Sequence, residues 1–263
     1  MKTIKRNAHI FKLLSIYSIK TAFQSKAGVV IFTIAKFFRF GMFFYFISFL
    51  VTKTQTLKGY SQNEAIVIYL MFTLIDTIGQ IFFREVYRFR SLVVSGELDG
   101  VLIRPYHPFL RVLVGGIDPM DALTLIPYLA ITFYYISLLP HITTQNLLIS
   151  ATFFINGLVL AAGFHIIVLA LAIITTNIDH AIMIYRDISS TARFPIEIYR
   201  EPLRALITFV IPIGIMASYP SRALFGKLHL STAVFALCVS GFFLYVAIAS
   251  WNHALKRYQS WGG

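Results

Sequence analysis

Six long apolar runs, separated by short polar clusters, organise this chain. They lie at about 28–52, 64–83, 121–139, 147–176, 205–219 and 229–251, and most reach the roughly 20 residues with which an α-helix crosses a bilayer. The pattern predicts an all-α polytopic membrane protein with about six transmembrane helices, folded as a single transmembrane domain over 1–263. No linker, low-complexity tract or convincing repeat divides it. The first run carries Lys36 and Arg39, the fifth is short, and the fourth is long enough to tilt or to extend past the membrane. Ahead of the first run, residues 8–24 place Ile10, Phe11, Leu14, Tyr17 and Thr21 near one helical face, with Lys12 and Lys20 elsewhere. That is the pattern of an amphipathic helix lying in the membrane interface; a mere extension of the first span is the other reading.

Composition agrees with a bilayer as second solvent. Of 263 residues, 57% are hydrophobic and 13% charged, and the mean hydropathy is +0.74. A net charge of +12 raises the question of nucleic acid, but the cations flank apolar spans and fit anionic headgroups instead. Their placement sets an orientation. One side receives Lys2, Lys5, Arg6, Lys12, Lys20 and Lys26, then Arg84, Arg88, Arg90, Arg104 and Arg111, then Arg186, Arg193, Arg200 and Arg204, and finally Lys256 and Arg257. The other receives only Lys53, Lys58, Arg222 and Lys227. The imbalance places both termini in the cytoplasm and the chain in the cytoplasmic membrane. The basic start lacks a continuous apolar stretch and a small-residue cleavage site, so a cleaved signal peptide is not expected.

Two connections are more elaborate than turns. The cytoplasmic loop 84–108 opens with a basic, aromatic, helix-compatible stretch, Arg84–Val94. Gly96 and Gly100 then bracket Glu97 and Asp99, and Pro105 and Pro108 stop a regular helix. Arg84, Arg88 and Arg90 suit an acidic groove on a partner, with Tyr87 and Phe89 as anchors; contact with anionic lipid is the alternative. Beyond it, Asp118 caps the third span, with Pro119 in its first turn and Asp121 at its positive end. The region 177–204 reads as a second cytoplasmic loop of the same style, punctuated by Pro195 and Pro202.

Several chemistries are missing. Phe225–Leu228 joins a glycine to a lysine without the adjoining hydroxyl of a phosphate-binding loop, so ATP hydrolysis is not expected in this chain. The seven histidines show no metal-ligand spacing, and His165 reads as a hydrogen-bonded packing residue. No nucleophile motif is present, and the single cysteine, Cys238, cannot form an internal disulfide. His107, Asp118 and Asp121 are close in sequence, but prolines and capping explain them better than lipid chemistry does. Charges inside the spans remain to be placed. Lys36 and Asp76 each lie eight residues, about 12 Å of helix, above the inner boundary. The favoured reading is an ion pair of Asp76 with Lys36 or Arg39; snorkelling of the cations, or a role in moving substrate or protons, are the others.

Specific motifs then add a resemblance. Ser95-Gly96-Glu97-Leu98-Asp99 followed by Leu102-Ile103-Arg104-Pro105 resembles the loop of a subfamily of ABC-2-type exporter permeases. Arg193-Phe194-Pro195-Ile196-Glu197-Ile198-Tyr199 is similar to that group's second signature, and Pro212, Pro220 and the closing Ala254–Ser260 also fit. The resemblance implies a half-transporter: two permease chains, identical or related, with separate ATPase subunits that hold ATP and Mg. It implies an interfacial helix before the first span, a coupling helix in the 84–108 loop, and a short re-entrant outer segment after the fifth span. The competing account is a gradient-driven secondary transporter or channel.

Overall fold

The computed structural model describes residues 2–140, 142–175 and 178–259. Thr176, Asn177 and Ser260, which the sequence reading places in the fourth run, the second loop and the closing motif, lie outside the described residues. Helix α1 (Lys2–Ala22) precedes α2 (Lys26–Thr54) and α3 (Gln62–Phe83). A 3-10 turn (Arg84–Arg88) leads to α4 (Phe89–Val94) and α5 (Glu97–Leu102); α6 (Pro119–Ser137) and α7 (Thr144–Thr175) follow. Then come α8 (Ile178–Ser190), the three-residue α9 (Leu203–Ala205) continuing as a wide turn (Leu206–Val210), α10 (Ile213–Leu224) and α11 (Leu230–Arg257).

Local signals fix the helix starts. The Ser61 hydroxyl accepts from Glu64 N while a Glu64 carboxylate oxygen accepts from Ser61 N at 2.8 Å, a reciprocal cap that begins α3. Asp118 Oδ1 accepts from Met120 N and Asp121 N at 3.0 and 3.1 Å, with Pro119 in the first turn of α6, as the sequence predicts.

Helices α3 and α7, apolar on nearly all sides, form the centre. They pack with α10 and α11 closely enough that a Cβ on Gly157 of α7 would stand 2.5 Å from the Met216 carbonyl oxygen of α10. By contrast α2 lies at the edge and buries only Val29, Ile47 and Val51. The bundle has two ends, which we call the Tyr60 end and the Arg84 end. Among the described residues five helices, α2, α3, α6, α7 and α11, are long and apolar enough to cross a membrane.

The sixth passage is not where the hydropathy of 205–219 places it. The chain from α8 to Ile198 climbs from the Arg84 end to the Tyr60 end. Tyr185 packs against His165 and Phe164, Phe194 reaches Phe43 at 5.4 Å, and Glu197 meets Arg222 at 3.5 Å. The segments Leu203–Val210 and Ile213–Leu224 then meet at a 90° bend and return to the level they left. They form the re-entrant element, which is larger than Pro220-Ser221-Arg222 alone. Two expectations are thereby corrected: 177–204 is not a cytoplasmic loop, and 205–219 is not a span. The cause is polarity. The ascending passage carries Arg186, Asp187, Arg193 and Glu197, so hydropathy passes over it, whereas the apolar re-entrant limbs are as greasy as a span.

At the Arg84 end, the 84–114 connection is packed rather than loose. Val86, Phe89, Leu98 and Val112 are fully buried in one core with Leu169 of α7 and Trp251 of α11. Helix α1 docks beside it: Phe11 stacks on Phe82 at 6.5 Å, and the Ser15 hydroxyl accepts from Ile117 N.

Candidate functional site

Two carboxylates at the start of α6 organise the charges of the bundle. Asp121, 1% exposed, accepts a hydrogen bond from Lys36 Nζ through Oδ1 and one from Arg84 Nη1 at 3.1 Å through Oδ2. The same Arg84 nitrogen lies 3.1 Å from Asp118 Oδ2. Lys36 and Arg84 both flank the Phe32 ring, at 4.9 and 5.1 Å from its centroid. Two cations thus face two anions, the arrangement in which buried charges are tolerated.

The expected pairing of Lys36 or Arg39 with Asp76 is therefore corrected. Equal depth is not enough, because a helical Cα–Cβ bond leans toward the helix N-terminus. Helices α2 and α6 both begin at the Arg84 end, so Lys36 leans down to Asp121. Helix α3 begins at the Tyr60 end, so Asp76 leans the other way. Among the described residues Asp76 forms no ion pair. It lines a cavity of about 360 Å³, the size range of small-molecule sites. Lys36 and Arg39 of α2, Tyr69 and Gln80 of α3, Tyr87, and Arg186 and Arg193 of the ascending passage also line it. Arg193 stands 5.1 Å from the Phe43 centroid and 5.8 Å from that of Phe72; Arg186 stands 6.0 Å from that of Tyr87. The Tyr87 hydroxyl accepts from Gln80 Nε2 at 3.2 Å. His165 is a buried packing residue, its Nδ1 2.7 Å from the Ala161 carbonyl oxygen.

The residues expected to form a docking surface divide into two groups. Arg84 and Tyr87 turn inward to the cavity. Phe89, with no exposed surface, packs on Trp251 at 6.3 Å and is no anchor for a partner. Facing outward are Arg88, Arg90, Glu97, Arg104 and Pro105. Gly96, at φ 73°, makes the left-handed turn between α4 and α5. Gly100 instead lies within α5 in ordinary helical conformation and makes no turn. Asp99 is half-buried beside Tyr258. Of the second motif, Arg193 and Phe194 stand at mid-bundle, Pro195 is buried, and Glu197 is paired at the Tyr60 end. Tyr199 donates from its hydroxyl to the Thr191 carbonyl oxygen at 2.7 Å. Sequence reasoning assigned Asp118 and Asp121 only to capping and missed them as counter-ions. The signal was two acids three residues apart at a helix start beside a span with unpaired cations.

A bundle of apolar helices enclosing a charged, partly open cavity defines the class: a multi-pass membrane transport protein. The family model described as ABC-2 family transporter protein matches residues 37–262, and the chain belongs to that family as an ABC-2-type permease, a transport subunit. No curated protein and no solved structure gives a significant match.

Proposed function

We propose that this chain is the membrane-spanning permease of an ATP-driven exporter. It works as a pair of permease chains, two copies or one beside a related chain, with separate ATPase subunits that hold ATP and Mg. The Arg84 end faces the cytoplasm. Once Arg84, Arg186 and Arg193 are counted in the cavity and Arg200 and Arg204 at the Tyr60 end, the Arg84 end still holds twelve lysines and arginines against six, which supports that orientation and cytoplasmic termini. Helix α1 lies in the headgroup layer, its exposed Leu13 and Tyr17, and Phe23 just beyond its end, toward lipid.

The observation that carries the proposal is the two-sided build of the 84–114 unit. Its inner side is fused to α7 and α11 through Phe89, Leu98 and Trp251. Its outer side exposes Arg88, Arg90 and Arg104 together with Ile103, 84% exposed, and Val94, 49% exposed. Exposed apolar side chains in company with exposed cations suit an acidic protein groove. Force applied there reaches α3, α7 and α11 with no flexible joint between. The test is co-purification of the ATPase with Arg88→Glu and Ile103→Asp variants, alongside the thermal stability of the isolated permease. The expected result is a folded permease that loses its ATPase. A folded double variant that binds and couples normally removes this surface from the docking site. If no ATPase associates with the unmutated chain, a gradient-driven transporter becomes the better account.

A further inference from the structure

The cavity carries more positive charge than its own acids neutralise. Lys36 and Arg84 are matched by Asp118 and Asp121. That leaves Arg39, Arg186 and Arg193 lining the same space with Asp76 as the remaining carboxylate. Among the described residues none of these three arginines forms an ion pair. Arg186 and Arg193 are held over aromatic rings, contacts that position a guanidinium without neutralising it and leave its N–H edge free. Three guanidinium groups thus share the cavity with one carboxylate, so an anion entering it meets about two unmatched positive charges.

A second feature adjoins it. Between α2 and α6 runs an open apolar groove of about 460 Å³. Its walls are Phe44, Ile131, Tyr134 and Tyr135, and Phe40 lines both groove and cavity. At its floor Gly41 leaves room: a Cβ there would meet nothing within 4 Å. We propose that the cavity binds the anionic head of an amphiphile, at Arg39, Arg186 and Arg193, while its apolar chain lies in the Phe40–Tyr135 groove. The head is a phosphate or carboxylate group, which arginine forks fit in two-point contact; the groove makes the ligand lipid-like rather than a free anion. The inference gives the permease reading a ligand class, and its test uses the permease alone, so its failure leaves ATPase coupling untouched.

The test is binding by native mass spectrometry to purified permease in mild detergent, with dioleoyl phosphatidic acid, dioleoyl phosphatidylcholine and inorganic phosphate as probes. Phosphatidic acid should be retained well above phosphatidylcholine. Arg39→Gln with Arg193→Gln should weaken it at least about tenfold, the worth of one charge-assisted hydrogen bond, while Arg193→Lys, which keeps the charge but loses the fork, should weaken it less than Arg193→Gln. Gly41→Leu, which adds bulk to the groove at a point where a Cβ meets nothing within 4 Å, should weaken phosphatidic acid but not inorganic phosphate. Should the double variant not fold, Arg39→Gln alone, at an exposed position, should still weaken binding. Equal retention of phosphatidylcholine, or a folded arginine variant that binds unchanged, overturns the proposal. Inorganic phosphate displacing phosphatidic acid at equal concentration overturns its lipid-like half.

Discussion

Arg222 Nε lies 3.5 Å from Glu197 Oε1, so the chain stands at one end of the bundle both before the bent pair and near the close of its second limb. The segment between them does not cross. Single cysteines in a Cys238→Ser background test this directly. A cysteine at Arg204, an exposed position, should react with an impermeant reagent from the outer face, and one at Ser95 should not. Protection of position 204 in intact cells, with labelling only after permeabilisation, would restore the cytoplasmic loop.

The charged cluster predicts an asymmetry between two acids. Asp121→Asn leaves Lys36 and Arg84 without a full counter-charge and should destabilise the permease by about 3–5 kcal/mol. Adding Lys36→Met should recover part of that loss. Asp76→Asn, which breaks no ion pair, should cost much less and show no coupling to Lys36 in a double-mutant cycle. Thermal unfolding in detergent reads these variants together with Lys36→Met alone and with Asp76→Asn; coupling of Lys36 to Asp76 instead of Asp121 would contradict the geometry.

Phe89 and Ile103 belong to one connection but to opposite sides of it. Phe89→Ala empties a fully buried site against Trp251 and should cost about 3–5 kcal/mol of stability. Ile103→Ala, at a position 84% exposed, should leave thermal stability within about 0.5 kcal/mol and act on ATPase association. Reversed effects would place the outer and inner faces wrongly.

The two motif glycines should also separate. Gly96 holds φ 73°, and Gly96→Ala should cost about 1–2 kcal/mol. Gly100 is helical with open space around an added Cβ, so Gly100→Ala should be neutral or stabilising by up to about 1 kcal/mol. Comparative melting of the two variants decides it.

What the sequence revealed follows from what periodicity and capping encode. The long spans, the Asp118 cap and the Gly96 turn rest on local signals, and each stands where the residues place it. The ascending passage was hidden because Arg186 and Arg193 face a cavity, and hydropathy averages charge without knowing what surrounds it. The re-entrant pair was mistaken for a span because Leu206–Val210 and Ile213–Met216 are apolar on every side, and composition carries no record of a bend at Ile211-Pro212. The partner of Lys36 was missed because depth along a helix is legible in a sequence, while the direction in which a side chain leans depends on which neighbours run parallel.

Helix α2 buries only three residues, yet it supplies Lys36, Arg39 and Phe40 to the cavity. The enclosure is therefore uneven in strength. Parting α7 from α10 means prising apart backbones that meet at Gly157 with no side chain between them. Swinging α2 outward separates only side chains: Phe37, Phe40, Phe43, Phe44 and Phe46 from their aromatic partners, Ile47 and Val51 from α3, and Lys36 from Asp121. The side of the cavity formed by α2 is thus joined to the rest by interdigitated side chains, as a zip is, while the side formed by α7 and α10 is closed by backbone on backbone.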